Sequence, residues 1–263
     1  MAQARKTPGA DLARYYDLDL LDDPGDVEMY LALADAHDGP ILELGVGSGR
    51  IAVALAAAGH DVTGVDNDAA MLERARAAWK GRPPAAGGGS LTLVEHDLQT
   101  LALGGRFGLV ILALNGLLLL DGRAAQLSAL GVMAAHLAAY GRAVVDVWLP
   151  TPDDLALYDG RLVLEWVRRD PDTAEWVAKT TSARHESAAA AARVTTFFDA
   201  WADEAPARRS MRADDIRFLS ASELVALAIQ AGLEVESTAG DYDMSELERD
   251  SDRIVLVGRP AAR

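Results

Sequence analysis

The sequence has no cysteine and no long apolar segment, and basic residues are scarce. Without cysteine there can be no disulfide, no thiolate chemistry and no cysteine-ligated metal, and we expect no metal site of any kind. Apolar runs such as residues 109–120 are too short to span a bilayer, so we expect no membrane contact. The polar first residues lack the basic region and apolar core of a signal peptide. We therefore expect a cytoplasmic protein.

The charge of the chain bears on its partners. The 263 residues include 25 Lys and Arg against 40 Asp and Glu, which gives a formal net charge of −15 at pH 7. Binding along a phosphate backbone needs a basic stripe, whereas the arginines here form scattered pairs such as residues 168–169 and 208–209. An acidic protein repels polyanions. Nucleic acid is therefore not expected as a partner, and a small neutral or cationic substrate is favoured.

A glycine-rich turn between two short apolar strands is the most informative feature that is present. A run over residues 40–44 carries Glu43 and enters a turn with three alternate glycines, which are Gly45, Gly47 and Gly49. A helical stretch and a second apolar run follow, and this run ends at Asp66. An acid about 20 residues after the first glycine is typical of a βαβ unit that binds a dinucleotide or a nucleoside. Its carboxylate can accept bonds from both ribose hydroxyls.

The spacing of this turn argues against a nicotinamide dinucleotide. Such sites need G-x-G-x-x-G or G-x-G-x-x-A, with the pyrophosphate at the helix N-terminus. Here the third residue after Gly47 is Arg50, and Glu43 beside the turn would repel a pyrophosphate. A ligand that has no phosphate and carries a positive charge fits the turn better.

Residues 41–72 resemble motifs I and II of the class I S-adenosylmethionine (SAM)-dependent methyltransferases. Those motifs typically contain E-x-G-x-G-x-G and, after a second strand, D-x-S-x-x-M-L. This chain has the acid and glycines of motif I, then Asp66 and Asn67, and Asp68 replaces the usual serine before Met71. The resemblance implies SAM as cofactor and S-adenosylhomocysteine as product.

The same resemblance implies further cofactor contacts at the other strand ends. Asp97 and Leu98 would hold the adenine, although Asp97 could also be an ordinary turn acid. Met71 would pack on the adenine, or belong to the core. Tyr16 resembles part of a Tyr-Asp pair in an N-terminal helix that closes over the cofactor in bacterial relatives, although core packing is an alternative. The full implied set is Tyr16, Glu43, Gly45, Gly47, Gly49, Arg50, Asp66, Asn67, Met71, Asp97, Leu98, Leu114 and Asn115.

The pattern of elements predicts an α/β protein with a Rossmann-like methyltransferase fold. We expect a seven-stranded, mainly parallel sheet with an antiparallel last strand, which closes with its neighbour in a short hairpin, and an antiparallel β subdomain inserted after strand 5. The predicted divisions are an N-terminal helical lid at 1–37, a SAM-binding core at 38–150 and 218–263, and the insertion at 151–217. Within the core, strand 5 is predicted at 143–148 and the helix before it at 121–139. Residues 188–192 are predicted to be a low-complexity loop.

The acceptor side carries weaker signals, and the sequence identifies no catalytic residue. Related enzymes have Asn-x-x-x-His after strand 4, and the histidine is a plausible base. Here that position is Leu119, which mildly favours an amine or carbon nucleophile. The Asn/Asp-Pro-Pro-aromatic run of nucleic-acid base methyltransferases is missing after strand 4. Candidate substrate contacts, each also open to a purely structural role, are Tyr15, Leu119, Asp146, Trp148, Arg217 and Tyr242. His185 is expected to be exposed.

These observations leave three hypotheses. The leading one is methyl transfer from SAM to a small-molecule N, O or C nucleophile in natural-product biosynthesis, by in-line displacement with catalysis through positioning. In the second, the protein binds SAM without catalysing a reaction, or its insertion serves mainly to make a homodimer. The third, an NAD(P)-dependent oxidoreductase, would require dinucleotide binding despite Glu43.

Overall fold

The computed structural model describes residues 9–82, 88–202 and 205–262. Most of the predicted N-terminal tail, and residues 83–87 of the predicted connection after the second helix of the core, lie outside the described residues. The elements, in chain order, are α1 (Ala10–Asp19), α2 (Val27–Asp35), β1 (Ile41–Leu44), α3 (Arg50–Ala58), β2 (Asp61–Asp66), α4 (Ala69–Lys80), β3 (Ser90–Glu95), β4 (Phe107–Leu112), α5 (Gly122–His136), β5 (Leu137–Trp148), α6 (Pro152–Ala156), β6 (Asp159–Arg169), β7 (Trp176–Glu186), β8 (Ala191–Trp201), β9 (Arg208–Arg217), α7 (Ala221–Gln230), β10 (Leu233–Ala239) and β11 (Arg253–Pro260).

Seven of these strands form a sheet with the order β10-β11-β5-β4-β1-β2-β3. The neighbours from β5 to β3 pair in parallel, whereas β11 is antiparallel to both β5 and β10. All residues of β1 and β4 are buried, as expected for strands that are covered on both faces. The predicted seven-stranded, mainly parallel sheet with an antiparallel last strand is therefore confirmed.

Helices cover both faces of this sheet. On one face, Leu130 of α5 and Leu227 of α7 belong to an apolar core with β4 and β5. On the other, Tyr30 of α2, Leu55 of α3 and Leu72 of α4 pack against β1 and its neighbours. The two helical layers hold the carboxyl ends of the parallel strands at a single edge, which is where open α/β sheets bind ligands. None of the helices in the described ranges is long and apolar enough to cross a membrane.

The segment between β5 and α7 contains a separate antiparallel sheet with the order β6-β7-β8-β9, as predicted. One face of this sheet receives α1. Tyr15 and Leu18 of the helix pack against Val177, Phe198 and Ala200 of the strands. The N-terminal helix and the inserted sheet therefore form one packed layer.

Ion pairs connect this layer internally and to the core. Arg14 of α1 lies 2.6 Å from the buried carboxylate of Asp170, at the turn between β6 and β7. Arg74 of α4 pairs with Asp17 of α1, and also with Asp172 at 2.9 Å. One arginine of the core thus contacts both parts of the layer.

Several predicted boundaries were wrong. Strand β5 begins at Leu137 rather than residue 143, because Leu137 pairs with Phe107 of β4, and α5 correspondingly ends at His136. The connection between β10 and β11 is not short, since it spans residues 240–252 and folds back through a bridge between Ala239 and Glu246. Ala191 and Ala192 were predicted within a loop, but they begin β8.

Candidate active site

A cleft opens between α1, the glycine turn and the end of β4. The empty space of the cleft, including the part open to solvent, is about 320 Å³. Predicted cofactor residues Tyr16, Glu43, Gly45, Arg50 and Leu114 all line it, with Leu20, Val46, Ser48, Ile51 and Ala113 completing the wall. The structure therefore brings residues from the N-terminal helix, motif I and strand 4 into one cavity.

The turn in this cleft requires glycine at three positions. Gly45, Gly47 and Gly49 have φ values of 69°, 53° and 86°, a left-handed region that side chains disfavour. A Cβ on Gly49 would also lie 2.9 Å from the Cβ of Ala75 in α4. The ring of Tyr16 comes within 3.9 Å of the position a Cβ on Gly47 would take, so α1 covers the turn closely.

Asp66 lies at the end of β2, beside the same turn. Its Oδ2 accepts a hydrogen bond from the Gly47 N–H at 2.8 Å, and its Oδ1 accepts one from the Asp68 N–H at 2.9 Å. Burial raises the pKa of Asp66, and these backbone donors oppose the rise. Each carboxylate oxygen retains acceptor capacity, so the group can still receive ribose hydroxyls.

Asp68, which replaces the usual serine of motif II, caps the next helix. Its side chain accepts hydrogen bonds from the backbone N–H groups of Ala70 at 2.8 Å and Met71 at 3.4 Å. Aspartate and serine are comparably good at this position. The departure from the motif therefore preserves the local structure.

Glu43 is a buried residue of the cleft, and one oxygen of its carboxyl group is unpaired within the described part of the chain. Its side chain is 3% exposed, and its Oε2 has no hydrogen-bond partner among the described residues. Burial raises the pKa of Glu43 to about 8, while the charge of Arg50 and the backbone N–H of Ala52 act against the rise. A buried carboxylate that lacks a partner fits a cationic ligand group.

Arg50 is already paired in this structure. Its guanidinium donates to both carboxylate oxygens of the fully buried Asp26, at 2.5 and 2.7 Å. This fork-to-fork contact joins the start of α2 to the start of α3. Arg50 therefore shapes the wall of the cleft while Asp26 takes up most of its charge.

The end of β4 turns sharply at two predicted residues. Leu114 and Asn115 have φ values of 47° and 65°, which is a strained conformation for residues other than glycine. The Leu114 N–H donates to Asp146 Oδ1 at 2.8 Å, and Asn115 Oδ1 accepts from the Trp148 N–H at 2.6 Å. Contacts from β5 thus hold the turn in place.

Asp146 and Tyr242 do not face the cleft as the sequence suggested. Asp146 is fully buried and accepts hydrogen bonds from the Tyr30 hydroxyl at 2.6 Å and the Tyr242 hydroxyl at 3.1 Å. Arg253 donates to the Tyr242 hydroxyl at 2.5 Å. This network lies beneath the strand-4 turn because α2 and the 240–252 connection enclose it. Tyr30 was not predicted as part of this network, because nothing in the sequence indicates that its side chain faces Asp146.

Tyr15 also has a different position from the one proposed for a substrate contact. Its ring is 1% exposed and stacks on Phe198 with the centroids 5.0 Å apart. Adjacent helix positions point about 100° apart, so only Tyr16 of the pair faces the cleft. Tyr15 therefore packs α1 on the inserted sheet, while Tyr16 lines the cleft.

The residues that the resemblance implies for the adenine side differ in exposure. Leu98 lies 3.8 Å from the position of a Cβ on Gly45. Asp97 is exposed and accepts a hydrogen bond from the Gln99 N–H at 2.8 Å, as a turn acid would. Met71 is buried, whereas Asn67 is exposed.

Aromatic side chains gather where the inserted sheet joins the core. The ring of Trp148 lies 6.1 Å from Tyr158 and 5.8 Å from Phe218, and Phe218 lies 6.2 Å from His185. His185 is half-buried rather than exposed. Tyr158 and Phe218 were not predicted, although Tyr158 directly precedes β6 and Phe218 directly follows β9. Nearby, Leu119 is 37% exposed and Arg217 lies 3.7 Å from Asp121.

Residues 41–141 match the family model described as a methyltransferase domain. The chain therefore carries a methyltransferase domain. Its motifs are those of the class I, SAM-dependent enzymes, so this methyltransferase uses SAM as its cofactor, as predicted. No curated protein matches the chain in sequence.

Solved structures share the fold of this methyltransferase along nearly its whole length. The CcbJ methyltransferase from Streptomyces caelestis is 23% identical, with 97% of this chain and 100% of that chain covered and a TM-score of 0.73. DesVI from Streptomyces venezuelae is also 23% identical, with the same coverage and a TM-score of 0.75. The sugar N-methyltransferase KedS8 from Streptoalloteichus is 20% identical, with 100% of this chain and 96% of that chain covered and a TM-score of 0.74.

Proposed function

We propose that this methyltransferase transfers a methyl group from SAM to the amine of a small hydroxylated molecule, within natural-product biosynthesis. The observation that carries the proposal is the buried Glu43 carboxylate, whose Oε2 has no partner in a cleft beside the glycine turn. A pyrophosphate would be repelled there, whereas a cation would supply the missing partner.

The residues of the cleft suit both a positively charged group and the ribose of SAM. Glu43 offers its carboxylate to a positive group, and Asp66 offers its remaining acceptor sites to the ribose. Leu114 contributes the wall beside the strand-4 turn, and Tyr16 covers the glycines from α1. SAM, when bound, supplies an electrophilic methyl group. The protein then has to hold the acceptor in line with it, and such positioning alone is worth about 7–11 kcal/mol of barrier.

The inserted sheet supplies the acceptor side. Thr181, Thr196 and Arg212 are directly paired across β7, β8 and β9, so their side chains share one face. Phe198, two residues after Thr196, lies on that same face and packs on α1. The charge of Arg212 lowers the pKa of Tyr16 against the larger, opposite effect of burial, which places Arg212 close to the cleft.

The row formed by Thr181, Thr196 and Arg212 is suited to a hydroxylated acceptor. The Thr181 hydroxyl is buried without a hydrogen-bond partner among the described residues, and Thr196 is 3% exposed. Where the inserted sheet joins the core, Trp148 and Phe218 provide rings that a sugar or similar ring could pack against. Hydroxyls and aromatic rings together suit a molecule with both polar edges and an apolar face.

An amine nucleophile fits the chemistry of the strand-4 turn. The position where relatives place a histidine is Leu119, and a neutral amine can attack through its lone pair before it loses a proton. KedS8 is titled a sugar N-methyltransferase, and CalS10 from Micromonospora, 20% identical with a TM-score of 0.69, is titled an amino pentose methyltransferase. Those names support an amino sugar as the first acceptor class to try.

The proposal is tested in two stages. Calorimetric titration with S-adenosylhomocysteine, with NADH and NADPH in parallel, should show micromolar binding of the homocysteine compound alone. Labelled SAM is then offered with pairs of amino sugars and hydroxy sugars of the same ring configuration, and label should enter only the amino sugars. Dinucleotide binding would refute the cofactor assignment. Transfer only to hydroxy sugars would refute the amine assignment.

Other expectations from the sequence stay predictions. These are a cytoplasmic location, the lack of a nucleic-acid partner, the homodimer, and the division into a lid at 1–37, a core and an insertion at 151–217. The packing of α1 on the inserted sheet supports a lid that includes both. Such a lid would exclude water from the bound ligands when closed.

A further inference from the structure

The strand-4 turn borders the cofactor cleft and has an unfavourable backbone conformation. Leu114 lines the cleft, and both Leu114 and Asn115 adopt left-handed φ angles. Such a conformation is unfavourable for residues other than glycine and persists only where the surroundings determine it. The groups that hold the turn therefore decide the shape of the cleft wall.

Asp146 is the centre of those groups. Its Oδ1 accepts from the Leu114 N–H at 2.8 Å, and its own backbone carbonyl accepts from the Asn115 N–H at 3.3 Å. The same β5 strand supplies the Trp148 N–H that binds Asn115 Oδ1 at 2.6 Å. Both strained residues are thus fixed by a stretch of three residues in β5.

The Asp146 carboxylate is itself fixed from two other parts of the chain. The Tyr30 hydroxyl of α2 donates to Oδ1 at 2.6 Å, and the Tyr242 hydroxyl of the 240–252 connection donates to Oδ2 at 3.1 Å. Arg253 of β11 donates to the Tyr242 hydroxyl and lies over its ring, 4.1 Å from the centroid. The carboxylate is fully buried, so these donors leave it little freedom.

We propose that Asp146 is a positioning residue that sets the cofactor affinity of the methyltransferase by holding the Leu114–Asn115 turn against the cleft. Tyr30 and Tyr242 orient its carboxylate, so α2 and the 240–252 connection act on the site without touching the cofactor. The inference rests on the proposed function, because it takes the strand-4 turn as part of the cofactor wall.

The test compares S-adenosylhomocysteine affinity with stability. Asp146→Leu is nearly isosteric and removes every acceptor of the side chain, so it should weaken binding at least tenfold. Leu227→Ala provides the control, because it removes a buried side chain from α7 and should lower the stability of the fold without altering the cleft. At a temperature where both variants are folded by circular dichroism, the control should bind within twofold of the unaltered protein.

A rescue series separates positioning from general damage. Asp146→Asn keeps an oxygen for the Tyr30 hydroxyl and the Leu114 N–H, and its amide N–H can donate to the Tyr242 hydroxyl, which also accepts hydrogen bonds. It should therefore bind within about threefold of the unaltered protein. Adding Tyr242→Phe leaves that buried amide N–H without an acceptor and should weaken binding. Hydrogen exchange at the Leu114 amide, followed by mass spectrometry of a peptide covering the turn, should quicken in the double variant but not in Asp146→Asn.

The outcomes are distinct. If the unaltered protein does not bind S-adenosylhomocysteine, the proposed function fails. If it binds, and Asp146→Leu binds as tightly as Leu227→Ala, only the positioning role is overturned. Should Asp146→Leu fail to fold, a double variant that binds as tightly as Asp146→Asn would overturn the proposal by itself.

Discussion

Binding of the cofactor should release a proton from Glu43. Burial raises the pKa of this carboxyl to about 8, so at neutral pH the unliganded protein holds it mostly protonated. A cation bound beside Oε2 favours the carboxylate and must displace that proton. Affinity for S-adenosylhomocysteine should therefore rise as the pH rises toward 8, and level off above it.

The size of the effect follows from the pKa. With a pKa of about 8, roughly one Glu43 in ten is ionised at pH 7 and one in a hundred at pH 6. The dissociation constant should therefore fall about tenfold between pH 6 and pH 7, with about 0.9 proton released per ligand at pH 7. Arg50, Asp26 and Asp66 also face this group, so a variant is needed to assign the proton to Glu43.

Titration calorimetry at pH 6.0, 6.5 and 7.0, in two buffers of different ionisation enthalpy, measures both quantities. Glu43→Gln keeps the shape of the side chain and should show neither the slope nor the proton release. Glu73→Gln, on the exposed side of α4, should behave like the unaltered protein. A Glu43→Gln protein that keeps the full pH slope would show that another group carries the proton.

The same proton affects the stability of the unliganded fold. Between pH 4.5 and 8 the folded state holds a proton that the unfolded state has released. The contribution of Glu43 to the free energy of unfolding should therefore fall as the pH rises through this window. Denaturant midpoints should fall less steeply with pH in Glu43→Gln.

Three further variants test other parts of the site. Asp66→Ala should weaken S-adenosylhomocysteine binding by about 1–3 kcal/mol through lost ribose bonds. Asp61→Ala, at the exposed start of the same strand, should leave the binding unchanged. Equal calorimetric affinities of the two variants would refute the ribose role of Asp66. Tyr15→Ala removes the ring stacked on Phe198 and should speed hydrogen exchange across α1 but not across β1, and equal exchange in α1 would contradict the lid packing. Trp148→Ala keeps the backbone N–H that fixes the strand-4 turn, so cofactor affinity should stay the same. Binding of an accepted amino sugar should weaken up to about tenfold. A loss of affinity for both ligands would place the ring on the cofactor side.

The core fold and the cofactor turn could be predicted because their signals are local. Gly45, Gly47 and Gly49 are required by backbone angles within one short segment, and Asp66 follows at the end of the next strand. The buried runs of β1 and β4 show directly in the sequence, since parallel strands are covered on both faces. Local constraints of this kind need no knowledge of distant contacts.

The errors concern residues whose role depends on distant parts of the chain. Asp146 ends a strand at the expected edge, yet Tyr30 and Tyr242 enclose it from 116 and 96 residues away. Strand β5 starts early because of its pairing with β4, which overrides the helical tendency of the alanines around residue 138. Burial of a side chain at a strand end is a tertiary property, so sequence position alone could not give it.

The row of Thr181, Thr196 and Arg212 on the inserted sheet combines both kinds of signal. Alternation along β8 predicts a strand with two unlike faces, but only the stacking of Phe198 on Tyr15 shows which face is turned inward. Once that face is known, the cross-strand register requires Thr181, Thr196 and Arg212 to share it, because directly paired residues point the same way. A one-residue slip of β8 would turn Thr196 outward and bring Phe197 inward. The packing of α1 on the inserted sheet therefore identifies the face on which Thr181, Thr196 and Arg212 lie.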